Sequence, residues 1–197
     1  MLKRLFDIIF ALLGLILVSP LLLLIAIIIK MTAGGPVFYK GQRVGKNGRL
    51  FKIWKFRTMI PDAEKQGGSA TSANDSRLTK LGKFLKRYKL DELPQLFNIL
   101  RGEMSFVGPR PEVSFYVNMM AEEERKIILS VRPGMTDLAS LWDFREEEVL
   151  KGSPDPEKTY MEKIRPTKIK LQLEYVKNRS FWLDLKIILK TILKIFQ

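Results

Sequence analysis

From Ile8 to Ile29 the chain runs for 22 residues without a charge, dominated by leucine and isoleucine. As a straight helix this run would reach roughly 33 Å, enough to cross a bilayer core of about 30 Å. A secretory signal fits it poorly, because the run exceeds the usual apolar stretch of such peptides and no Ala-x-Ala site follows. Ser19-Pro20 stands at its centre. Proline removes one backbone donor and crowds the preceding turn, and a neighbouring serine hydroxyl can serve the carbonyl left bare. Lys3 and Arg4 precede the run, while Lys30, Lys40, Arg43 and Lys46 follow it. The positive-inside rule then wants both ends on the cytoplasmic side. A re-entrant helix broken at Ser19 and Pro20 meets both conditions, and a single-pass anchor with a tolerated proline is the alternative.

The remaining composition limits the chemistry. A net charge of +13 and a pI near 9.9 point to anionic partners, which include lipid headgroups, phosphorylated molecules and nucleic acid. The chain has no cysteine and no histidine. Disulfides, thiolate nucleophiles, imidazole bases and ordinary zinc sites are therefore excluded. Any catalysis must run on carboxylates, cations, hydroxyls and a hard metal ion. Neither GxGxxG nor GxxxxGK[ST] occurs.

The pattern predicts an α+β fold, mainly helical with a short β-hairpin. Val37 to Val44 and Arg49 to Thr58 read as strands joined by Gly45-Lys46-Asn47-Gly48, since Asn-Gly between extended runs is a hairpin signal. On the second strand Lys55 and Arg57 share one face and Trp54 and Phe56 the other. The two cations suit a phosphate-bearing ligand; a solvated face over a core is the alternative. Pro61 to Arg77 reads as a mobile, lid-like loop. Thr79 to Leu90 reads as a basic amphipathic helix of the kind that lies at a membrane surface. Glu112 to Val131 is expected to be one helix with a solvated acidic patch at Glu122, Glu123 and Glu124, ended by Arg132-Pro133-Gly134. Ser153-Pro154-Asp155-Pro156 reads as a loop. Phe181 to Phe196 has helical period, with Lys186, Lys190 and Lys194 spaced by four. It is expected at the interface, anchored by Phe181 and Trp182, or else packed into the core.

Leu90-Asp91-Glu92-Leu93-Pro94-Gln95 carries the clearest chemistry. Pro94 suits only the start of a helix, which makes Asp91 a natural N-cap with Glu92 in the first turn. The helix dipole there favours the anionic carboxylate. An ionised, desolvated carboxylate can attack phosphorus, and two adjacent carboxylates can hold Mg²⁺. A plain capping role for Asp91 stands beside these readings. Downstream, Arg110 is held between Pro109 and Pro111, which presents its guanidinium rigidly for a phosphate or else simply makes a turn.

Several segments together resemble the monotopic phosphoglycosyl transferases, the bacterial sugar transferase family. They run in order: Lys3-Arg4 with Asp7, Ser19-Pro20, Gly35-Pro36-Val37-Phe38, Lys55-Phe56-Arg57-Thr58-Met59, Leu90 to Gln95, and Met104 to Pro111. Val131-Arg132-Pro133-Gly134 and Tyr175-Val176-Lys177-Asn178 with Asp184-Leu185 complete the set, which covers essentially the whole chain. The resemblance implies a re-entrant membrane helix-break-helix over 1–30 and a cytosolic-face catalytic domain with interfacial helices over 31–197. It implies a bacterial inner-membrane enzyme that moves a phospho-sugar from a UDP-sugar to undecaprenyl phosphate or a similar polyprenyl phosphate. That is the first membrane step of glycoconjugate assembly. Asp91 would attack the β-phosphate and release UMP, Glu92 would assist, and Mg²⁺ held by Asp91 and Glu92 would neutralise the diphosphate. Arg110 would clamp phosphate, with Lys55, Arg57 and Arg132 as further binding candidates. Partners would be membrane phospholipid and the two substrates, with no nucleic acid and with a homo-oligomer left open.

Three places depart from the family pattern. Asp137 to Arg145 replaces the family's Gly-Trp-Ala-Gln-Val-Asn-Gly-Arg, Gln172 stands where relatives carry aspartate, and Lys86 stands where they carry arginine. The sugar is not specified. The rival class is a non-catalytic, membrane-tethered basic protein, which explains the charge but not Asp91-Glu92 beside a proline-framed arginine. A different carboxylate-dependent phosphotransferase is the other rival.

Overall fold

The computed structural model describes residues 2–63, 75–143 and 149–195. Helix α1, Leu2–Ala33, is about 48 Å long. Asp7, Ala11, Ile25 and Ile29 are buried, with Leu15, Val18 and Leu22 packed between them. These positions recur every three or four residues and so form one contact stripe. Its first half packs on Leu96, Ile99 and Met104, and its second on Phe56 and Leu85. Much of the rest of the helix is outward, with Leu13, Leu17 and Leu24 more than half exposed.

Pro20 lacks the amide that would have donated to the carbonyl of Ile16. Ser19 Oγ donates to that carbonyl instead, at 2.8 Å. The helix therefore continues unbroken through Ser19-Pro20 and extends to Ala33. At Ser19-Pro20 one backbone hydrogen bond is thus exchanged for one from a side chain, within a single helical segment.

Both ends of α1 are tied to the same body. Arg4 donates to the carbonyls of Ile99 (2.7 Å) and Leu100 (3.1 Å), and Lys3 donates to the carbonyl of Val107 (3.0 Å) and pairs with Asp184. Asp7 accepts from Ser105 Oγ and the Phe106 amide. At the far end Arg57 donates to the carbonyls of Ala33 and Gly34, satisfying acceptors that a helix C-terminus leaves open.

The hairpin is present in four short pieces: β1 (Phe38–Tyr39), β2 (Gln42–Val44), β3 (Leu50–Lys52) and β4 (Lys55–Phe56). Antiparallel pairs Phe38↔Phe56 and Gln42↔Lys52 keep a single register, so this is one hairpin interrupted at Lys40-Gly41 and Ile53-Trp54. Its turn is the 3-10 segment Lys46–Gly48, where Asn47 (φ 56°) and Gly48 (φ 77°) are left-handed. Most of the lid-like loop lies outside the described residues. Its neck is closed by a Met59↔Leu78 bridge and by Arg77, which pairs with Asp75.

Helix α2 (Lys80–Arg87) is capped by Thr79, whose side chain accepts from the Gly82 amide. A 3-10 segment, Leu90–Gln95, leads into α3 (Leu96–Arg101). Strands β5 (Ser105–Val107) and β6 (Gly134–Thr136) pair in parallel. Just beyond β5, Gly108 lies so close to β6 that a Cβ on Gly134 would fall 2.1 Å from its amide nitrogen. Only glycine lets the two proline-containing segments approach this closely.

The single helix expected over Glu112 to Val131 is two, α4 (Ser114–Asn118) and α5 (Glu122–Ile128). Glu122, Glu123 and Glu124 form the first turn of α5, where carboxylates complement the exposed amides and dipole. The acidic triplet therefore starts a helix as well as facing water. Helices α6 (Leu138–Trp142) and α7 (Pro156–Thr159) follow, both started by an aspartate cap. A π-helical turn over Tyr160–Ile164 joins α7 to α8 (Arg165–Asn178). Pro166 offers no amide to that turn, which accounts for the local widening.

Helix α9 (Phe181–Ile195) buries Asp184 and Ile187 against β5 and β6 and leaves Trp182, Leu189 and Leu193 outward. Lys194 turns inward to the carbonyl of Leu141 and so leaves the row of surface lysines.

Candidate active site

Lys89 takes a left-handed conformation (φ 54°) after α2 and turns the chain into the 3-10 segment. Asp91, Glu92 and Gln95 then point inward and are buried, at 5, 7 and 1 % exposure. The expected N-cap role of Asp91 is corrected here. Lys89 holds the cap position, no side chain caps the segment, and Asp91 Oδ1 is buried without any hydrogen-bond partner. The expectation that the dipole sets the ionisation of Asp91 also fails. Burial pushes its carboxyl up to about 6, with Glu92 adding to the rise and Lys55 opposing it. Near neutral pH the group is still mostly charged, and nothing among the described residues holds its Oδ1.

Glu92 is the opposite case. Lys55 Nζ reaches its Oε1 at 2.9 Å, and Arg110 engages both of its oxygens. Burial alone would raise the Glu92 carboxyl; Arg110 and Lys55 outweigh it and hold the group well below the usual range. The same pairing raises Arg110. Two adjacent carboxylates thus divide into one locked anion and one with an uncommitted oxygen.

Arg110 owes its position to β5 and β6. Its backbone amide donates to Asp137 Oδ2 at 3.2 Å, while Asp137 Oδ1 caps α6 through the Ser140 amide at 2.7 Å. Pro109 and Pro111 fix the backbone on either side.

The structure brings together Asp91, Glu92, Lys55 and Arg110, drawn from β4, the 3-10 segment and the turn after β5. Arg57 and Arg132 are not in that group. Arg57 is buried at the end of α1 with its Nε and Nη1 unpartnered, and Arg132 is exposed and donates to the carbonyl of Gly102 at 2.7 Å. Ser19 and Pro20 lie on the exposed side of α1. Arg145 falls outside the described residues.

The sequence reading passed over Gln95, Asp137 and Lys168. Asp137 could have been found as an aspartate immediately before an apolar segment, the ordinary start signal for a helix. Gln95 and Lys168 carry no such signal, since only the folded chain shows that both are buried.

Among the described residues no group of three or more acidic side chains could hold a metal. Mg²⁺ often needs only one or two carboxylates when substrate phosphates complete its shell. The bare Oδ1 of Asp91 fits that use. Glu92 fits it only by giving up a cation partner.

A bacterial sugar transferase family model matches residues 1–197. Over 200 residues the chain is 43% identical to a Klebsiella pneumoniae UDP-glucose:undecaprenyl-phosphate glucose-1-phosphate transferase, covering 98% of this chain and 40% of that protein. It is 38% identical to the Aeromonas hydrophila UDP-N-acetylgalactosamine-undecaprenyl-phosphate N-acetylgalactosaminephosphotransferase, covering 96% and 42%. Against the exopolysaccharide production protein ExoY of Rhizobium meliloti (strain 1021) it is 40% identical, covering 98% and 84%. The chain spans about two fifths of the length of the first two relatives. With a match over its full length and a site assembled from the segments that suggested the resemblance, the chain belongs to the bacterial sugar transferase family.

Proposed function

We propose that this protein transfers a sugar-1-phosphate from a UDP-sugar to undecaprenyl phosphate or a similar polyprenyl phosphate. The observation that carries the reading is the buried, uncommitted oxygen of Asp91 beside the fully paired Glu92. In the first step Asp91 forms a bond to the β-phosphorus. The bridging P–O bond breaks and its electron pair leaves with UMP. In the second step an oxygen of the lipid phosphate attacks the acyl phosphate, which frees the carboxylate and yields a polyprenyl diphospho-sugar. Glu92 assists by holding Lys55 and Arg110, whose positive charge faces the phosphates. Asp91 would hold Mg²⁺ jointly with substrate oxygens. Once bound, the ion neutralises diphosphate charge.

The same reading places the protein at the cytoplasmic face of the inner membrane. Both ends of α1 bind one body, so a straight crossing that carried Leu2 to the far side would tear Lys3, Arg4 and Asp7 from their partners. The outward apolar faces of α1 and α9 meet lipid, with Phe84 of α2 and Tyr88 just after it near the headgroups. Cysteines introduced at Met1 and Gln197 should both resist labelling from outside intact cells. Labelling at Met1 would replace re-entry with a single-pass anchor.

To test the reaction, purified protein is incubated with Mg²⁺, undecaprenyl phosphate and a panel of UDP-sugars while UMP is followed. Release that disappears in Asp91→Asn is expected. Equal release by Asp91→Asn would sink the proposed nucleophile.

A further inference from the structure

Asn98 lies in the interior of α3 and is wholly buried. Asparagine is a poor helix former, and burying its carboxamide is costly unless both of its polar atoms are bonded. Here both are. Oδ1 accepts from the Trp54 amide at 2.9 Å, while Nδ2 donates to the carbonyl of Lys52 at 2.8 Å and to Glu103 Oε2 at 2.7 Å. A backbone amide can meet only the oxygen of the carboxamide and a carbonyl only its nitrogen, so these partners fix which way the group faces.

Lys52 ends β3 and Trp54 stands just before β4, on either side of the break in the hairpin. Between them Ile53 donates inward, to the carbonyl of Gly41, and farther along Arg57 does the same to Val37. Alternate residues of a strand turn their amides and carbonyls to opposite edges, so Lys52 and Trp54 face the outer edge. There the Asn98 carboxamide stands as the peptide group of a neighbouring strand would. It accepts from one amide and donates to the carbonyl two residues earlier. The backbone of Asn98 grips a further segment: its carbonyl accepts from the amides of Glu103 (3.0 Å) and Met104 (3.3 Å), which shapes the turn from α3 into β5.

The segments joined in this way carry the site. Lys55 follows Trp54 directly, Asp91 and Glu92 lie on the 3-10 segment that runs straight into α3, and β5 leads to Arg110. Lys55 Nζ reaches Glu92 Oε1 at 2.9 Å, so the separation of strand and helix sets that ion pair. The four-carbon stem of a lysine is flexible, and it holds one geometry only where its backbone is held.

We propose that Asn98 is a positioning residue for Lys55: its carboxamide sets the distance between the strand that carries this cation and the segment that carries Asp91 and Glu92. The inference rests on the transfer reaction proposed above, in which Lys55 faces the donor's phosphates. Asn98 acts through Lys55, and this has a consequence that a general role in stability lacks. Once the ammonium is gone, Asn98 has nothing left to place.

The test is a double-mutant cycle in the full-length protein, with UMP release giving kcat/KM and thermal melts showing which variants are folded. Lys55→Met should lower kcat/KM about a hundredfold. Asn98→Ala should lower it at least about tenfold, because a shift of about 1 Å at the reacting groups can cost that much. The double variant should lie within about twofold of Lys55→Met alone. Asn98→Asp keeps the shape and the bond from Trp54 but as a carboxylate cannot donate to Lys52, and it carries the cycle if Asn98→Ala does not fold. Losses that multiply would show that Asn98 only supports structure. Full activity in the folded Asn98 variant, or in Lys55→Met, would equally overturn the positioning role. Wild type that releases no UMP from any UDP-sugar would instead overturn the transfer reaction itself.

Discussion

Asp91→Asn should abolish transfer and raise the melting temperature in the same protein. The wild-type carboxyl is pushed up to about 6 chiefly by burial, so the folded chain carries an ionised group under protest from its surroundings. A carboxyl raised by about two units relative to the unfolded chain costs on the order of 2 to 3 kcal/mol once ionised. This cost is absent while the group is protonated. It grows as pH rises from about 4 to 6 and is complete above that. Asparagine has similar shape and no charge, so the gain should be several degrees at pH 8 and should shrink toward zero near pH 4. Loss of the nucleophile should lower turnover by at least about a thousandfold. Wild-type activity should rise with pH through about 6 and level off above. Melting curves at pH 8 and pH 4, beside UMP release, check both halves. A variant that loses stability at pH 8 would mean that Asp91 is held by its surroundings after all.

Glu92→Gln is expected to do the reverse to stability. Glu92 is buried and held by Lys55 and Arg110, so removing its charge leaves two cations facing each other. Breaking a buried pair costs about 3 to 5 kcal/mol; because the Arg110 side chain is 37% exposed, solvent screening reduces this to roughly 2 to 3 kcal/mol. The Glu92 carboxyl is depressed, so its contribution is present above the usual glutamate range near pH 4 and is lost as pH falls further. Denaturant melts at pH 7.5 should show the full loss, and the gap from wild type should narrow below pH 4. Equal stability at pH 7.5 would contradict the locked-anion reading. Two adjacent carboxylates are thus predicted to respond oppositely to neutralisation.

What the sequence made legible was local. The apolar run gave α1, Asn47-Gly48 marked the hairpin turn, and the serine beside Pro20 does serve the exposed carbonyl. Lys55, Asp91, Glu92 and Arg110 converge, although 55 positions separate the first from the last. Less legible was anything decided by tertiary contact. The continuity of α1 through Pro20 depends on one side-chain bond and on packing along its whole length. Asp91 looked like a cap because Pro94 signals a helix start, but left-handed Lys89 shifts the cap upstream and leaves the carboxylate free. Arg57 shares a strand with Lys55 in the sequence pattern, yet it falls just past β4, where the end of α1 lies nearer and offers open carbonyls. The burial of Arg165, Lys168 and Gln172 along α8 is invisible in one dimension, because they have the spacing of any solvated helix face.

The central claim is a covalent phospho-sugar on Asp91, and it is tested most directly by trapping that species. The protein is mixed with Mg²⁺ and its UDP-sugar without any lipid acceptor, quenched, and examined by mass spectrometry of the intact chain and its peptides. The account predicts an added sugar phosphate on the peptide carrying Asp91, formed together with UMP and absent in Asp91→Asn. UMP release that requires the lipid acceptor and leaves the chain unmodified would contradict it and indicate direct transfer between the two substrates.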